Sequence, residues 1–209
     1  FKVCPFVQRS VILLKEKGVD YDIEFIDVYD PPAWFLELSP TGKVPVLQVG
    51  DKVLFESAVI SEYLDEVYPP SLHPADPLDK AQNRAWIEYT STMYTGTFNL
   101  LMAKTDEDVD AAKQDIIKNL KGLQQAKQNQ PWFNGDDFSL VDIAAAPFFV
   151  RVAFFKEYCS LDLLEGFESM QEWSDSLLAR QTVIDSKVEG FDQMLLSRMD
   201  SNESALKHN

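Results

Sequence analysis

The chain has 209 residues, of which 45% are hydrophobic, and a formal net charge of -15 at pH 7. This length allows one domain or two small ones with a packed core, and two cysteines cannot build a disulfide framework, so we expect a cytoplasmic protein of a reducing compartment. The acidic balance argues against nucleic-acid and anionic membrane partners, which bind clustered Lys and Arg, and no apolar run approaches the roughly 18 residues that cross a bilayer.

The first predicted element is a helix from Pro5 to Lys17, which Gly18 ends. Only Phe1 to Val3 precede it as a reduced first strand, so we expect the full chain to begin several residues earlier. Proline is favoured at the first position of a helix, which places the Cys4 thiol at the helix N-terminus. There the unpaired N–H groups and the positive end of the helix dipole favour a thiolate. Cys4 is therefore the candidate nucleophile.

The redox version of this motif has a second cysteine three residues after the first, which resolves a mixed disulfide. Val7 holds that place here. The other cysteine, Cys159, lies far along the chain in an apolar stretch, and we interpret it as inert packing. An adduct on Cys4 must therefore be resolved by an external thiol, for which glutathione is the natural candidate.

The following residues predict a small α/β unit. Tyr21 to Val28 alternates apolar and acidic residues, which predicts a strand, and Pro32 to Leu38 predicts a short helix. Lys43 to Val49 and Lys52 to Phe55 predict a hairpin with a turn at Gly50-Asp51.

A further helix opens at Glu56-Ser57, with Ser57 as its N-cap, and ends at Tyr68. We expect Glu62 to Asp65 to lie on its exposed side. The segment from Pro69 to Pro77 is rich in proline and has almost no core residues, which predicts a domain boundary. The first domain is therefore placed at 1–69.

Helices alone are predicted after this linker, in a second domain at 77–200. They are expected at about Leu78 to Lys104, Asp106 to Asn129, Ser139 to Tyr158, Phe167 to Arg180 and near Asp192, with a frayed tail from Ser201 to Asn209. Ser139 and Asp142 form a variant of the capping box, so we interpret Asp142 as structural rather than catalytic.

The order of elements in the first half is that of a thioredoxin-like domain. In that plan the nucleophilic cysteine lies at the head of the first helix, and a proline before the third strand lies opposite it. Pro45 fills this place. A cis bond before Pro45 would turn the Val44 backbone outward as a free edge for a peptide-like ligand.

Other enzyme classes are excluded by the distribution of residues. The glycines are too far apart for a Gly-rich phosphate cradle. Neither His73 nor His208 is placed like the base of a Cys/His protease, and so few His and Cys assemble no metal constellation, so we expect no metal.

Four segments, in this order and spacing, resemble the cytosolic glutathione transferases over essentially the whole chain. They are Cys4-Pro5-Phe6, Val44-Pro45-Val46-Leu47, Glu56-Ser57-Ala58-Val59-Ile60 and Phe138-Ser139-Leu140-Val141-Asp142-Ile143-Ala144. The first segment is similar to the omega, lambda and dehydroascorbate-reductase classes, in which cysteine replaces the tyrosine or serine of the conjugating classes. The resemblance implies a thioredoxin-like N-terminal domain, an all-helical C-terminal domain and a homodimer.

The same resemblance implies that Cys4 forms a mixed disulfide with glutathione. The Val44 backbone, before Pro45, would pair with the cysteinyl part of glutathione. Glu56 and Ser57 would hold the γ-glutamyl end, because Glu56 can pair with its ammonium and Ser57 at a helix N-terminus suits its carboxylate.

Two further assignments follow from the resemblance. Lys43 is a candidate contact to the other carboxylate of glutathione, although omega-like enzymes tend to carry a basic residue where Pro31 stands here. Phe6, beside the thiol, and Phe98, on the first long helix, are candidates for the second-substrate pocket.

The function implied is a glutathione-dependent thiol transferase or reductase. Its candidate substrates are glutathionylated small molecules or proteins, dehydroascorbate, and glutathionyl adducts of quinones or aromatic ketones. A non-catalytic protein that uses the same fold to bind a partner is the alternative, and the joint presence of Cys4, Glu56 and Ser57 argues against it. A conjugating transferase acting through a hydroxyl is weaker, because Ser10 lies inside the helix.

Overall fold

The computed structural model describes residues 1–127 and 131–206, and it confirms the predicted fold class, a small α/β unit followed by a helical domain. Its elements are α1 (Pro5–Glu16), α2 (Ala33–Leu38), β1 (Val46–Val49), β2 (Lys52–Phe55), α3 (Ser57–Val67), α4 (Pro77–Leu101), α5 (Asp106–Ala126), α6 (Leu140–Cys159), α7 (Glu168–Leu178), α8 (Gln181–Ile184) and α9 (Phe191–Ser201).

Helix α1 lies between the two parts of the molecule. Pro5 occupies its first position, as predicted, and one side of the helix packs against α3 while another packs against α6 and α8. Toward α3, Lys17 Nζ lies 2.7 Å from Asp65 Oδ1, and both side chains are buried. The expectation that Asp65 is exposed was therefore wrong, because Lys17 neutralises its carboxylate inside the structure.

The sheet of the described residues is one antiparallel pair, in which Val46 of β1 lies opposite Phe55 of β2. The prediction of a strand from Tyr21 to Val28 was wrong, and Phe1 to Val3 forms no strand either. A strand requires a hydrogen-bonded neighbour. Here the segment at 19–26 and β1 line a cavity of about 970 Å³, and residues 21–27 pair with no strand among the described residues.

Helix α6 is the central helix of the helical domain. Almost every residue from 140 to 155 is buried, which is typical of a helix that is apolar on all faces and enclosed by others. At its start the Asp142 carboxylate accepts hydrogen bonds from Ser139 N at 2.8 Å, Ser139 Oγ at 2.7 Å, Phe133 N at 2.9 Å and Trp173 Nε1 at 2.8 Å. These contacts form the predicted capping box and confirm that Asp142 has a structural role.

The C-terminal part differs from expectation in two places. The short helix α8 was not predicted. The tail was expected to fray, but Ala205 N–H donates to the Ala103 carbonyl at 2.8 Å and Leu206 is buried. The predicted helix end at Asn129 and the residue His208 lie outside the described residues. Within the described chain, no helix has the length and apolar character needed to span a membrane.

Candidate active site

Cys4 stands at the N-cap of α1 as a free, half-buried thiol. Its carbonyl accepts the N–H of Gln8 at 3.0 Å and so closes the first turn, while its side chain makes no capping hydrogen bond. The thiol therefore lies at the positive end of the helix, as predicted, with N–H groups of the first turn that have no partner inside the helix.

A cavity of about 320 Å³, the thiol cavity, is lined by Cys4. Phe6 and Phe98 line the same cavity, and 49% of Phe98 is exposed. Phe6 packs edge-on against Tyr94 with ring centroids 4.9 Å apart. Burial raises the pKa of Tyr94 to about 12, so its hydroxyl stays neutral and donates to the Ala144 carbonyl. The structure thus brings together Cys4 and the two aromatic residues predicted for a second substrate.

Arg151 of α6 also lines the thiol cavity and is fully buried, and sequence reasoning missed it. Its guanidinium donates to Val3 O at 2.7 Å, Gln8 Oε1 at 2.8 Å and Pro147 O at 2.6 Å. Burial lowers the pKa of Arg151 to about 10, and the nearby Cys4 raises it. All three acceptors are neutral oxygens, so these contacts leave the positive charge of Arg151 without a carboxylate partner, in the wall that it shares with Cys4.

Glu56 and Ser57 lie at the head of α3, in places that differ from the prediction. Glu56 is the N-cap and Ser57 the first helical residue, so the assignment of Ser57 as N-cap was wrong. The Ser57 hydroxyl instead accepts a hydrogen bond from Arg9 Nη2 at 2.5 Å. Glu56 is exposed, its φ is 67°, and its carboxylate makes no hydrogen bond or ion pair within the described residues. A non-glycine residue in this region of φ is uncommon and occurs often at ligand sites.

Arg9 joins the head of α3 to α1 and was also missed. It is buried, its Nη1 donates to Ser91 Oγ at 3.0 Å, and its Nε has no partner within the described chain. Its guanidinium lies 5.7 Å from the centroid of the Phe6 ring. Arg9 therefore places a positive charge behind Ser57, where it suits a ligand carboxylate at the N-terminus of α3.

The Val44–Pro45 peptide bond is cis, as predicted. Val44 lies outside the β1–β2 pairing, and its backbone groups make no hydrogen bond within the described residues. Lys43 beside it is exposed. Val44 and Pro45 line the cavity of about 970 Å³ and not the thiol cavity, so the predicted ligand residues do not all share one cavity.

The second cysteine has the character expected of packing. Cys159 is half-buried at the end of α6, and burial raises the pKa of its thiol to about 11. It therefore stays protonated at neutral pH. Across residues 1–127 and 131–206 there is no group of three or more His, Cys, Asp or Glu side chains that could hold a metal ion.

Comparisons with known proteins agree with this arrangement. Residues 3–67 match the family model described as glutathione S-transferase, N-terminal domain, and residues 83–181 match glutathione S-transferase, C-terminal domain. The chain is 35% identical over 155 residues to glutathione S-transferase omega-1 of Rattus norvegicus, an alignment that covers 72% of this chain and 64% of that protein.

Two further relatives span more of the chain. A probable cytosolic glutathione S-transferase DHAR1 of Oryza sativa subsp. japonica is 30% identical over 189 residues, covering 88% of this chain and 84% of the relative. The crystal structure of glutathione transferase Omega 3C from Trametes versicolor superposes with a TM-score of 0.79 and 30% identity, covering 90% of this chain and 86% of that one.

Proposed function

The chain belongs to the glutathione S-transferase family, whose co-substrate is glutathione, and we propose that it is a thiol transferase or reductase of the cysteine type. The observation that carries this proposal is the position of Cys4 at the N-cap of α1, in the wall of the thiol cavity beside the buried cation of Arg151. The similarity to relatives named omega-1 and DHAR1 supports it.

The reaction has two thiol–disulfide exchanges. The Cys4 thiolate attacks the glutathione sulfur of a mixed disulfide, the sulfur–sulfur bond breaks, and the substrate leaves as a thiolate with the bonding electron pair. A second glutathione, as its thiolate, then attacks the glutathione sulfur of the adduct. Glutathione disulfide forms, and Cys4 leaves as a thiolate with the bonding electron pair. An external thiol is required because Val7 stands where a resolving cysteine would be and Cys159 lies at the far end of α6.

Glutathione would bind along the edge formed by the residue before β1 and the head of α3. The unpaired backbone of Val44 would take the cysteinyl part of the tripeptide. The free carboxylate of Glu56 would pair with the γ-glutamyl ammonium, and Ser57, with Arg9 behind it, would hold the γ-glutamyl carboxylate. Lys43 is exposed next to Val44 and would reach the glycyl carboxylate.

We also propose a homodimer in the cytoplasm. Support for the dimer comes from three large apolar side chains on β2, α3 and α4, because such groups are commonly covered at an interface. Phe55 is 38% exposed, Val59 51% and Leu78 68%. Sedimentation of the purified protein tests this assembly, since a monomer at micromolar concentration would contradict it.

The direct test of the catalytic proposal is to incubate the protein with glutathione disulfide and measure its intact mass. We expect one glutathione adduct on the parent and on Cys159→Ser, no adduct on Cys4→Ser, and removal of the adduct by excess glutathione. Turnover should be clear for at least one of two substrates, a glutathione mixed disulfide or dehydroascorbate. Turnover of a chloro-dinitroaromatic acceptor should be poor, because a thiolate that bonds to the glutathione sulfur does not also donate a hydrogen bond to it.

Two other outcomes would contradict the catalytic proposal. No adduct and no turnover on any substrate would support the alternative of a partner-binding protein with this fold. Fast conjugation that persists in Cys4→Ser would show that Cys4 is not the nucleophile.

A further inference from the structure

The thiol cavity is positively charged, although the protein as a whole is strongly acidic. The chain has 34 Asp and Glu against 19 Lys and Arg. Among the described residues that line the thiol cavity, however, none is acidic, and two are arginines, Arg151 and Arg198. Most of the remaining wall is aromatic or aliphatic, including Phe98, Leu101 and Phe154. An unneutralised positive charge in an apolar wall selects for a complementary anion.

The two arginines differ in what they still have to offer a ligand. Arg151 is fully buried and donates to three oxygens of the protein. Arg198, on α9, is only half-buried and donates to the hydroxyl of Tyr29. Within the described residues it makes no ion pair, and burial lowers its pKa. Because a guanidinium has five N–H donors, Arg198 keeps donors for an incoming group.

Three aromatic rings hold the Arg198 guanidinium at the cavity. Its carbon lies 5.6 Å from the centroid of Phe1, 5.2 Å from that of Tyr29 and 5.6 Å from that of Phe98. Contact with ring faces restrains a guanidinium, and its N–H groups, which lie in the guanidinium plane, stay free to donate to a ligand. Phe98 and Tyr29 are themselves exposed, at 49% and 68%, so an aromatic ligand can contact them.

We propose that the thiol cavity selects second substrates that combine an aromatic body with one anionic group, and that Arg198 binds the anion. The aromatic body packs on Phe98 and its neighbours, and the sulfur to be attacked lies toward Cys4. This inference deepens the proposed function and rests on it. Of the candidate substrates it favours glutathionylated aromatic acids and disfavours dehydroascorbate, which has no aromatic ring and carries no charge.

The test compares two mixed disulfides of glutathione that differ in charge. One carries 5-thio-2-nitrobenzoate, which is an anionic aromatic thiol, and the other carries 4-thiopyridine, which is neutral at the assay pH. Cys4 attacks the glutathione sulfur in both, and the aromatic thiol leaves with the electron pair, so release of the coloured thiol measures kcat/KM. The parent should prefer the anionic substrate, and added salt should weaken the preference.

Substitution of the arginine should remove the preference. In Arg198→Gln the ratio of kcat/KM for the anionic substrate to that for the neutral one should fall about tenfold, mostly through KM, and Arg198→Lys should recover part of it. The matched control is Lys187→Gln, which removes one positive charge outside the thiol cavity and should leave the ratio unchanged. A ratio in Arg198→Gln equal to that of the parent, or an equal fall in Lys187→Gln, would overturn the proposal.

A binding measurement separates this inference from the proposed function. If the parent turns over neither disulfide, the proposed function is wrong, and calorimetry then compares biphenyl-4-carboxylate with biphenyl-4-carboxamide. Tighter binding of the carboxylate that is lost in Arg198→Gln supports the anion site by itself. Equal binding of the two compounds by the parent refutes it.

Discussion

Replacing Arg151 by Met should weaken both the fold around Cys4 and the reactivity of the thiol. The guanidinium holds Val3 O, immediately before Cys4, and Gln8 Oε1 in the first turns of α1. Its third acceptor, Pro147 O, is an interior helix carbonyl and keeps its helical partner. The substitution therefore leaves two buried acceptors without a donor.

The size of the effect follows from these two groups. Each buried acceptor left unpaired destabilises the folded state by about 1–3 kcal/mol. Part of this loss is offset, because the variant no longer has to remove a charged guanidinium from water when it folds. We expect the free energy of unfolding of Arg151→Met to fall by about 2–4 kcal/mol, which lowers Tm by about 5–15 °C in a protein of this length. Loss of the cation near Cys4 should also slow adduct formation with glutathione disulfide at neutral pH about tenfold, which corresponds to about 1.4 kcal/mol of activation free energy.

Urea unfolding gives the stability, and ultraviolet absorbance of the thiolate together with the rate of adduct formation gives the reactivity. The matched control is Arg84→Met, because the Arg84 side chain is 50% exposed and its pair with Glu62 contributes at most about 1 kcal/mol. Arg151→Lys keeps a positive charge, so its stability and its rate of adduct formation should lie between those of the parent and Arg151→Met. This variant keeps the prediction testable if Arg151→Met does not fold. A stability loss no larger than that of the control, with unchanged thiol reactivity, would refute the reasoning.

Three other outcomes are expected. Glu56→Ala should weaken glutathione binding about tenfold in calorimetry, with Glu56→Gln intermediate, and unchanged affinity would place the γ-glutamyl end elsewhere. Burial by itself raises the pKa of Asp65, but its hydrogen bonds, led by that from Lys17, hold the pKa below the ordinary 3.8. The stability that this shift contributes is therefore complete at pH values above the ordinary pKa and is lost as the pH falls through the lower pKa of the folded state. Asp65→Asn should flatten the acid limb of a curve of stability against pH. An unaltered acid limb would contradict this role of Asp65. Cys159→Ser should keep at least half of the parent's turnover, and a large loss would contradict its assignment to packing.

Local signals were sufficient for several parts of the structure. Pro5 defined the start of α1 and hence the place of the thiol, and the spacing of Ser139 and Asp142 defined the start of α6. These features depend on neighbours within a few residues, so one sequence contains the whole signal.

The wrongly predicted strand and the two missed arginines depend on contacts between distant parts of the chain. Alternation from Tyr21 to Val28 indicates a surface with two faces but does not supply the neighbouring strand that pairing requires. Arg9 and Arg151 lie among buried positions of their helices. A charged residue within an apolar helical stretch is a signal in the sequence that its side chain has hydrogen-bond partners inside the protein. Which groups accept their hydrogen bonds, Ser57 in one case and the backbone before Cys4 in the other, becomes visible only in three dimensions.

Helix α1 belongs to the first unit along the chain but is shared by both units in space. Besides its contact with α3, Gln8 Nε2 donates to Ser186 Oγ at 3.0 Å, and Glu16 accepts from Arg180 Nε at 2.5 Å. Neither half can unfold without pulling this helix out of its contacts, so we expect one cooperative transition in which thiol reactivity and helical circular dichroism disappear together. The reactivity of Cys4 is then a reporter of the integrity of the whole molecule, and a fragment ending in the linker should retain the cysteine but lose its reactive setting.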